Sequence, residues 1–181
     1  MTTLLLIFAL INPTHHESDF SVHLETKEAH TLNKNQLVKY SIEPTLKAIG
    51  LYSESASNLL VMIAAHESVK GYYIVQTTGQ AKGVYQMEDA THDYLLSWLK
   101  ANKPDLYAKV TALVVKPTAM TMATDLNYAA AMARVFFLRF PEALPAGSDV
   151  DAMAAYAKRR WNTNLGKATA SDYKQAYITW K

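Results

Sequence analysis

The stretch SASNLLVMIAAHES, residues 55–68, decides the fold of this chain. Leu59, Leu60, Ile63, Ala64 and Glu67 fall at i, i+1, i+4, i+5 and i+8, which lie on one face of an α-helix. The spacing predicts a helix from Ser55 to Ser68, ended by Gly71. Glu67 sits near the end of that helix, on the face that buries Leu60 and Ile63. A carboxyl group there loses solvation, and burial raises its pKa. A raised pKa suits a general acid at neutral pH, so Glu67 is the candidate catalytic residue.

Working outward, Tyr72-Tyr73-Ile74-Val75-Gln76 is the one strand-like stretch, rich in aromatic and β-branched residues. A polar loop, Thr77 to Gly83, follows it, and Asp89 is positioned to N-cap a helix through Trp98. Pro104 opens a further helix ending near Val115, and Lys116-Pro117 breaks the chain. A long apolar helix is expected from Ala123 to Phe140, closed by Pro141. Ser148 with Asp151 caps a helix through Tyr156, and Ser171 caps a last helix. On the N-terminal side, Leu37, Tyr40, Leu46 and Ile49 read as a helix stopped by Gly50. The fold class expected is mostly α, with a small β-hairpin between residues 72 and 88. Residues 1–35 form an extended N-terminal segment and arm, and residues 36–181 the domain itself.

Composition sets the limits. The chain has 181 residues, half of them hydrophobic, with six Gly, six Pro and no Cys. At about 100–200 residues per domain this is one domain with a sizeable core, not a disordered chain. The absence of Cys excludes a disulfide-stapled miniprotein and a Cys-based zinc site. There is no run of about 18 apolar residues, so no transmembrane helix is expected. Residues 4–11, LLLIFALI, have no Lys or Arg before them and no clean cleavage site after them. They are expected to pack on the body, on a neighbouring copy or on another protein rather than to act as a cleaved signal peptide. His15, His16, His23 and His30 match no metal-ligand spacing, so no metal is expected.

The net charge is +2, which is no argument for nucleic acid. Residues 152–181 carry six bases and one acid. That end reads as a solvated helix face, or as a surface for an anionic partner.

Four short motifs occur in order: Glu67-Ser68; Gly83-Val84-Tyr85-Gln86-Met87, running into Glu88-Asp89-Ala90-Thr91; Asp125-Leu126-Asn127-Tyr128-Ala129; and Ala154-Ala155-Tyr156. In this order they resemble the lytic transglycosylase branch of the lysozyme superfamily, in the form found in tailed bacteriophages. The resemblance covers roughly residues 50–162. Asp89 stands where that family usually has Pro, and Tyr156 is followed by Ala157 rather than Asn. Asn162 lies a turn and a half further on.

The resemblance implies a lysozyme-like domain acting on peptidoglycan glycan strands, without metal or cofactor. The bond would be the β-1,4 link between N-acetylmuramic acid and N-acetylglucosamine. Glu67 would be the acid and base, Gln86 would hydrogen-bond the substrate, and Ser68 would orient Glu67 or touch substrate. Tyr85 would line a sugar-stacking wall, and Tyr156 would bring a phenol near the reacting groups. A hydrolytic enzyme wants a second carboxylate, for which Glu88 is the candidate; Asp89 reads as a helix cap and Asp93 as a first-turn acid. The basic Lys158-Arg159-Arg160 triplet would face peptide carboxylates or an acidic partner protein. The protein would be a virion component or a free endolysin, acting in a phage virion or the host cell envelope, with other virion proteins or a second copy met through the N-terminal arm. The alternative is a catalytically weak or inactive lysozyme-like part of a virion or tail, since fold does not fix function. A DNA-binding module using the basic C-terminus is the least supported reading, because no recognition motif accompanies it.

Overall fold

A computed structural model describes residues 31–163 and 166–181. The apolar run at residues 4–11 and the four N-terminal histidines lie outside the described residues. The helical elements are α1 (Lys34–Leu37), a π-helical segment (Val38–Ile42), α2 (Glu43–Ala48), α3 (Glu54–Glu67), α4 (Asp89–Asn102) and α5 (Pro104–Thr111). They continue with α6 (Thr121–Thr124), α7 (Leu126–Phe137), α8 (Val150–Ala157), a second π-helical segment (Lys158–Asn162) and α9 (Ala170–Ile178). The protein is mostly helical, and among the described residues no helix is long and apolar enough to cross a membrane.

The helix α3 is the axis of the domain. Ser53 caps it by accepting from the Ala56 backbone N–H at 3.0 Å. From Ala56 to Ala65 every residue but Asn58 is buried, so the helix is enclosed on nearly all sides rather than along the single stripe expected. Small residues make this possible: Ala56, Ser57, Ala64 and Ala65 let α7, α8 and α9 approach closely. The helix α7 is enclosed in the same way, and of its residues from Tyr128 onward only Arg134 is not fully buried.

The end of α3 is sharply turned. Val69, Lys70 and Gly71 have φ of 52°, 61° and 84°, three left-handed residues in succession. For non-glycine residues that region costs about 1–2 kcal/mol each. Hydrogen bonds hold it: Lys70 N–H to Ala65 O at 3.1 Å, Tyr73 N–H to Ser68 O at 3.0 Å, and Gly71 N–H to Ser68 Oγ at 2.9 Å. Leu32 secures the outside, donating its N–H to Lys70 O at 2.9 Å and accepting from Trp180 Nε1 at 2.8 Å. The chain leading into α1 is thus stitched to the domain from Leu32 onward.

Several local expectations shift. Residues 72–88 carry two isolated antiparallel bridges, Val75 with Lys82 and Lys82 with Met87, instead of continuous strands. Tyr72, Tyr73 and Val75 are exposed, so the half-buried pleated surface that favours a strand is absent. Glu88, not Asp89, stands at the N-cap of α4, and Asp89 in the first turn pairs with Lys82 Nζ at 2.5 Å. The expected helix over 123–140 is two helices, because Asp125 adopts an extended backbone (φ −136°) and caps α7 by accepting from the Tyr128 N–H at 2.8 Å. The caps of α8 and α9 are Asp149 and Thr169, the latter in a reciprocal capping box with Asp172. The helix α5 ends at Thr111, whose hydroxyl bonds back to Tyr107 O at 2.9 Å.

Candidate active site

Glu67 is the last residue of α3 and lies on the wall of a cleft of about 1040 Å³. Gln86, Glu88 and Thr91 line the same cleft, as do Tyr73, Phe136 and Trp161. The Glu67 carboxyl is partly buried, and desolvation holds its pKa above the ordinary carboxylate value. A hydrogen bond opposes this: the Tyr173 hydroxyl donates to Glu67 Oε1, which favours the ionised form. Burial is the larger effect.

Tyr173, on α9, is fully buried and lies 106 residues along the chain from its partner. Its ring packs against His66 with centroids 4.2 Å apart, and its phenol pKa is raised by burial and by the adjacent Glu67. The nearby Asn162 side chain acts in the opposite direction and limits that rise. Asn162 is itself held, since its Oδ1 accepts from Lys158 Nζ at 2.7 Å. Lys158 Nζ also donates to Thr163 O at 2.7 Å and to Gly166 O at 2.8 Å, closing the loop after α8 around Asn162. The π-helical segment Lys158–Asn162 makes this reach possible: its wider turn sets Trp161 against Phe136, with centroids 4.6 Å apart, and Asn162 at the cleft.

Gln86 reaches the cleft through backbone constraint. Its φ is +49°, and its side-chain amide donates to Gly83 O at 2.8 Å and to Tyr73 O at 3.3 Å. With both amide hydrogens used, the Oε1 atom has no partner among the described residues and is free to accept from a ligand. Gly83 sets this turn. Its φ is +72°, and a Cβ there would lie 2.4 Å from Met122 O. Only glycine fits such an approach of two backbones.

The other residues singled out from sequence lie elsewhere. Ser68 is buried, and its hydroxyl donates to Ala64 O at 2.8 Å while accepting from Gly71 N–H; it ties off the helix end. Tyr85 and Tyr156 are buried in the core rather than on the cleft, and neither hydroxyl has a partner among the described residues. Tyr156 packs against Phe137, with centroids 5.6 Å apart. Glu88 is exposed on the cleft. The Asp93 carboxylate accepts from Nδ1 of the buried His92 ring at 2.8 Å, and His92 Nε2 meets the Tyr128 hydroxyl at 2.8 Å.

Sequence reasoning missed Tyr173 and gave Lys158 another role: its ammonium donates to Asn162, Thr163 O and Gly166 O instead of facing an anionic ligand. Neither carries a local signal. Tyr173 looks like any apolar-face residue of a short helix, and Lys158 like one member of a basic triplet. The departure noted after Tyr156 was the one available pointer, because Asn162 reaches the site. Comparison with protein-family models, with curated proteins and with solved structures finds no match for this chain.

Proposed function

We propose that this protein cleaves the glycan strands of peptidoglycan, with Glu67 as a single acid–base group. The observation that carries the reading is the Glu67 carboxyl: it lies on an open cleft, burial raises its pKa, and the Tyr173 hydroxyl orients it. The order of motifs from Glu67-Ser68 to Ala154-Ala155-Tyr156 adds the substrate class.

Protonated Glu67 donates its proton to the glycosidic oxygen of the leaving N-acetylglucosamine as the bond to muramyl C1 breaks. The ionised carboxylate, now accepting from the Tyr173 hydroxyl, is ready to act as base. It takes the proton of the muramyl 6-hydroxyl, whose oxygen bonds to C1 and closes a 1,6-anhydro ring. Glu67 is then protonated again, and no water is consumed. Tyr173 supports the ionised half of this cycle and burial supports the protonated half. The Gln86 Oε1 atom accepts from a sugar hydroxyl or acetamido N–H. The aromatic rings of Tyr73 and Trp161 offer apolar faces to the pyranose rings. Such an enzyme would work from a phage virion or in the host envelope.

The test is mass spectrometry of products released from purified sacculi by the native chain and by Glu67→Gln. Anhydro-muropeptides that disappear with the variant are the expected result. Reducing-end products would retain Glu67 and bring Glu88 in as the partner of a water. No release by a folded native chain would sink the enzyme reading and leave a structural part.

A further inference from the structure

We infer that an arginine wall of the cleft binds the carboxylates of the peptides carried by the glycan strand. This rests on the glycan reading above. Arg139, Arg159 and Arg160 line the same cleft as Glu67. One carboxylate answers them: Glu142 Oε1 lies 2.5 Å from both Nε and a terminal nitrogen of Arg160, and 3.7 Å from Arg159. Arg160 is thereby neutralised. Arg139 has no carboxylate partner among the described residues; its Nε donates to Phe136 O at 3.2 Å. The Arg159 side chain is 54% exposed, and among the described residues its one carboxylate contact is the long one to Glu142; its guanidinium also lies 5.4 Å from the Tyr156 ring centroid. Two guanidinium groups on the cleft therefore lack a close anion. Glu67 and Glu88 share the cleft, and neither forms an ion pair with them among the described residues.

The cations are also pre-positioned. The Arg139 guanidinium sits 4.2 Å from the Phe136 ring centroid, and that of Arg160 sits 4.6 Å from Phe140. Stacking of this kind restrains the guanidinium groups, and the planar fork of an arginine matches a carboxylate in two places. Because the arginines and Glu67 line one continuous cleft, the anion belongs to the same ligand that reaches Glu67. The acetylated sugar backbone is neutral. Its peptide branches carry free carboxylates, and these are the groups the wall fits.

The experiment measures binding and keeps it apart from cleavage. The Glu67→Gln chain is sedimented with sacculi free of teichoic acid, either untreated or with their carboxylates converted to methylamides by carbodiimide coupling. Binding is expected to weaken about tenfold on the amidated sacculi, as for loss of a charge-assisted pair. Adding Arg139→Gln and Arg159→Gln is expected to weaken binding to untreated sacculi by a similar factor and to abolish the sensitivity to amidation. Because Arg139 also packs on Phe136, Arg159→Gln alone is measured beside it, with a partial loss expected and an unchanged melting temperature. Equal binding to both kinds of sacculi, or binding to neither, overturns the inference. Digestion by the native chain is scored separately. Cleavage with no amidation effect refutes only the arginine wall, and amidation-sensitive binding with no cleavage refutes only the enzyme reading.

Discussion

Replacing Gly83 with Ala should cost this protein more than the same change at a comparable left-handed glycine. The structure separates two contributions. At φ +72° an alanine loses about 1–2 kcal/mol against glycine from backbone sterics alone. The new Cβ would also stand 2.4 Å from Met122 O and 3.0 Å from Met122 C. Those are main-chain atoms next to the Asp125 break between α6 and α7, and they cannot rotate away as a side chain would. Overpacking of this kind adds roughly 1–3 kcal/mol. The sum is about 3 kcal/mol, or a fall in Tm of roughly 6–12 °C for a chain of this size. Gly50 is the control. Its φ is +77°, but the nearest atom to a Cβ is Lys109 Nζ at 3.9 Å. Gly50→Ala should therefore show the backbone cost of about 1–2 kcal/mol without the collision. Thermal and urea unfolding of both variants give the difference directly. The Gly83 variant should also lose activity in excess of its stability loss, because Gly83 O is the acceptor that fixes the Gln86 amide. Equal destabilisation at the two sites would refute the reasoning, since it would mean that the Met122 backbone yields.

Glu67→Gln should melt higher than the native chain at neutral pH. Burial raises the folded-state pKa of Glu67, so its contribution to stability is fully present below the ordinary carboxylate pKa and is lost as pH rises through the folded value. The advantage of the variant should therefore close in acid; an advantage independent of pH would argue against a desolvated carboxyl. Tyr173→Phe removes the one interaction that lowers the Glu67 pKa, so the alkaline limb of the activity profile should move to higher pH. It should also cost about 1 kcal/mol of stability, and a profile that stays in place would show that Tyr173 does not tune the acid. Tyr85→Phe and Tyr156→Phe remove buried hydroxyls that have no partner among the described residues, and each should be neutral or stabilising by up to about 1 kcal/mol in chemical denaturation. A clear destabilisation at either position would mean that its hydroxyl is in fact paired.

The features legible in the amino-acid order follow from local rules. The helix around residues 55–68, the glycine stops and the mostly helical class depend on periodicity and backbone chemistry within a few residues, whereas α5 and α7 end at Thr111 and Phe137, ahead of the expected breaks at Lys116-Pro117 and Pro141. The helix caps show how far such rules reach. They locate the helix starts at α8 and α9, but misassign the cap by one or two residues, because Ser148, Asp149, Thr169 and Ser171 all have suitable side chains. Only the final backbone decides which oxygen meets an N–H. The same holds for Asp125: its side chain divided an apolar run that periodicity reads as one helix. Tertiary structure alone decided the candidate site. Glu67 stands out locally as a carboxylate on an apolar face, but Tyr173 becomes its partner only when α9 packs on α3, and Asn162 joins the same cleft through the π-helical turn. The same packing leaves Tyr85 and Tyr156 in the core and sets Arg139 and Arg159 on one cleft. Tyr173 and Glu67, which share a hydrogen bond, are 106 residues apart. No periodicity encodes a contact of that span, because it is set by how helices pack around a shared core rather than by the conformation of any one of them.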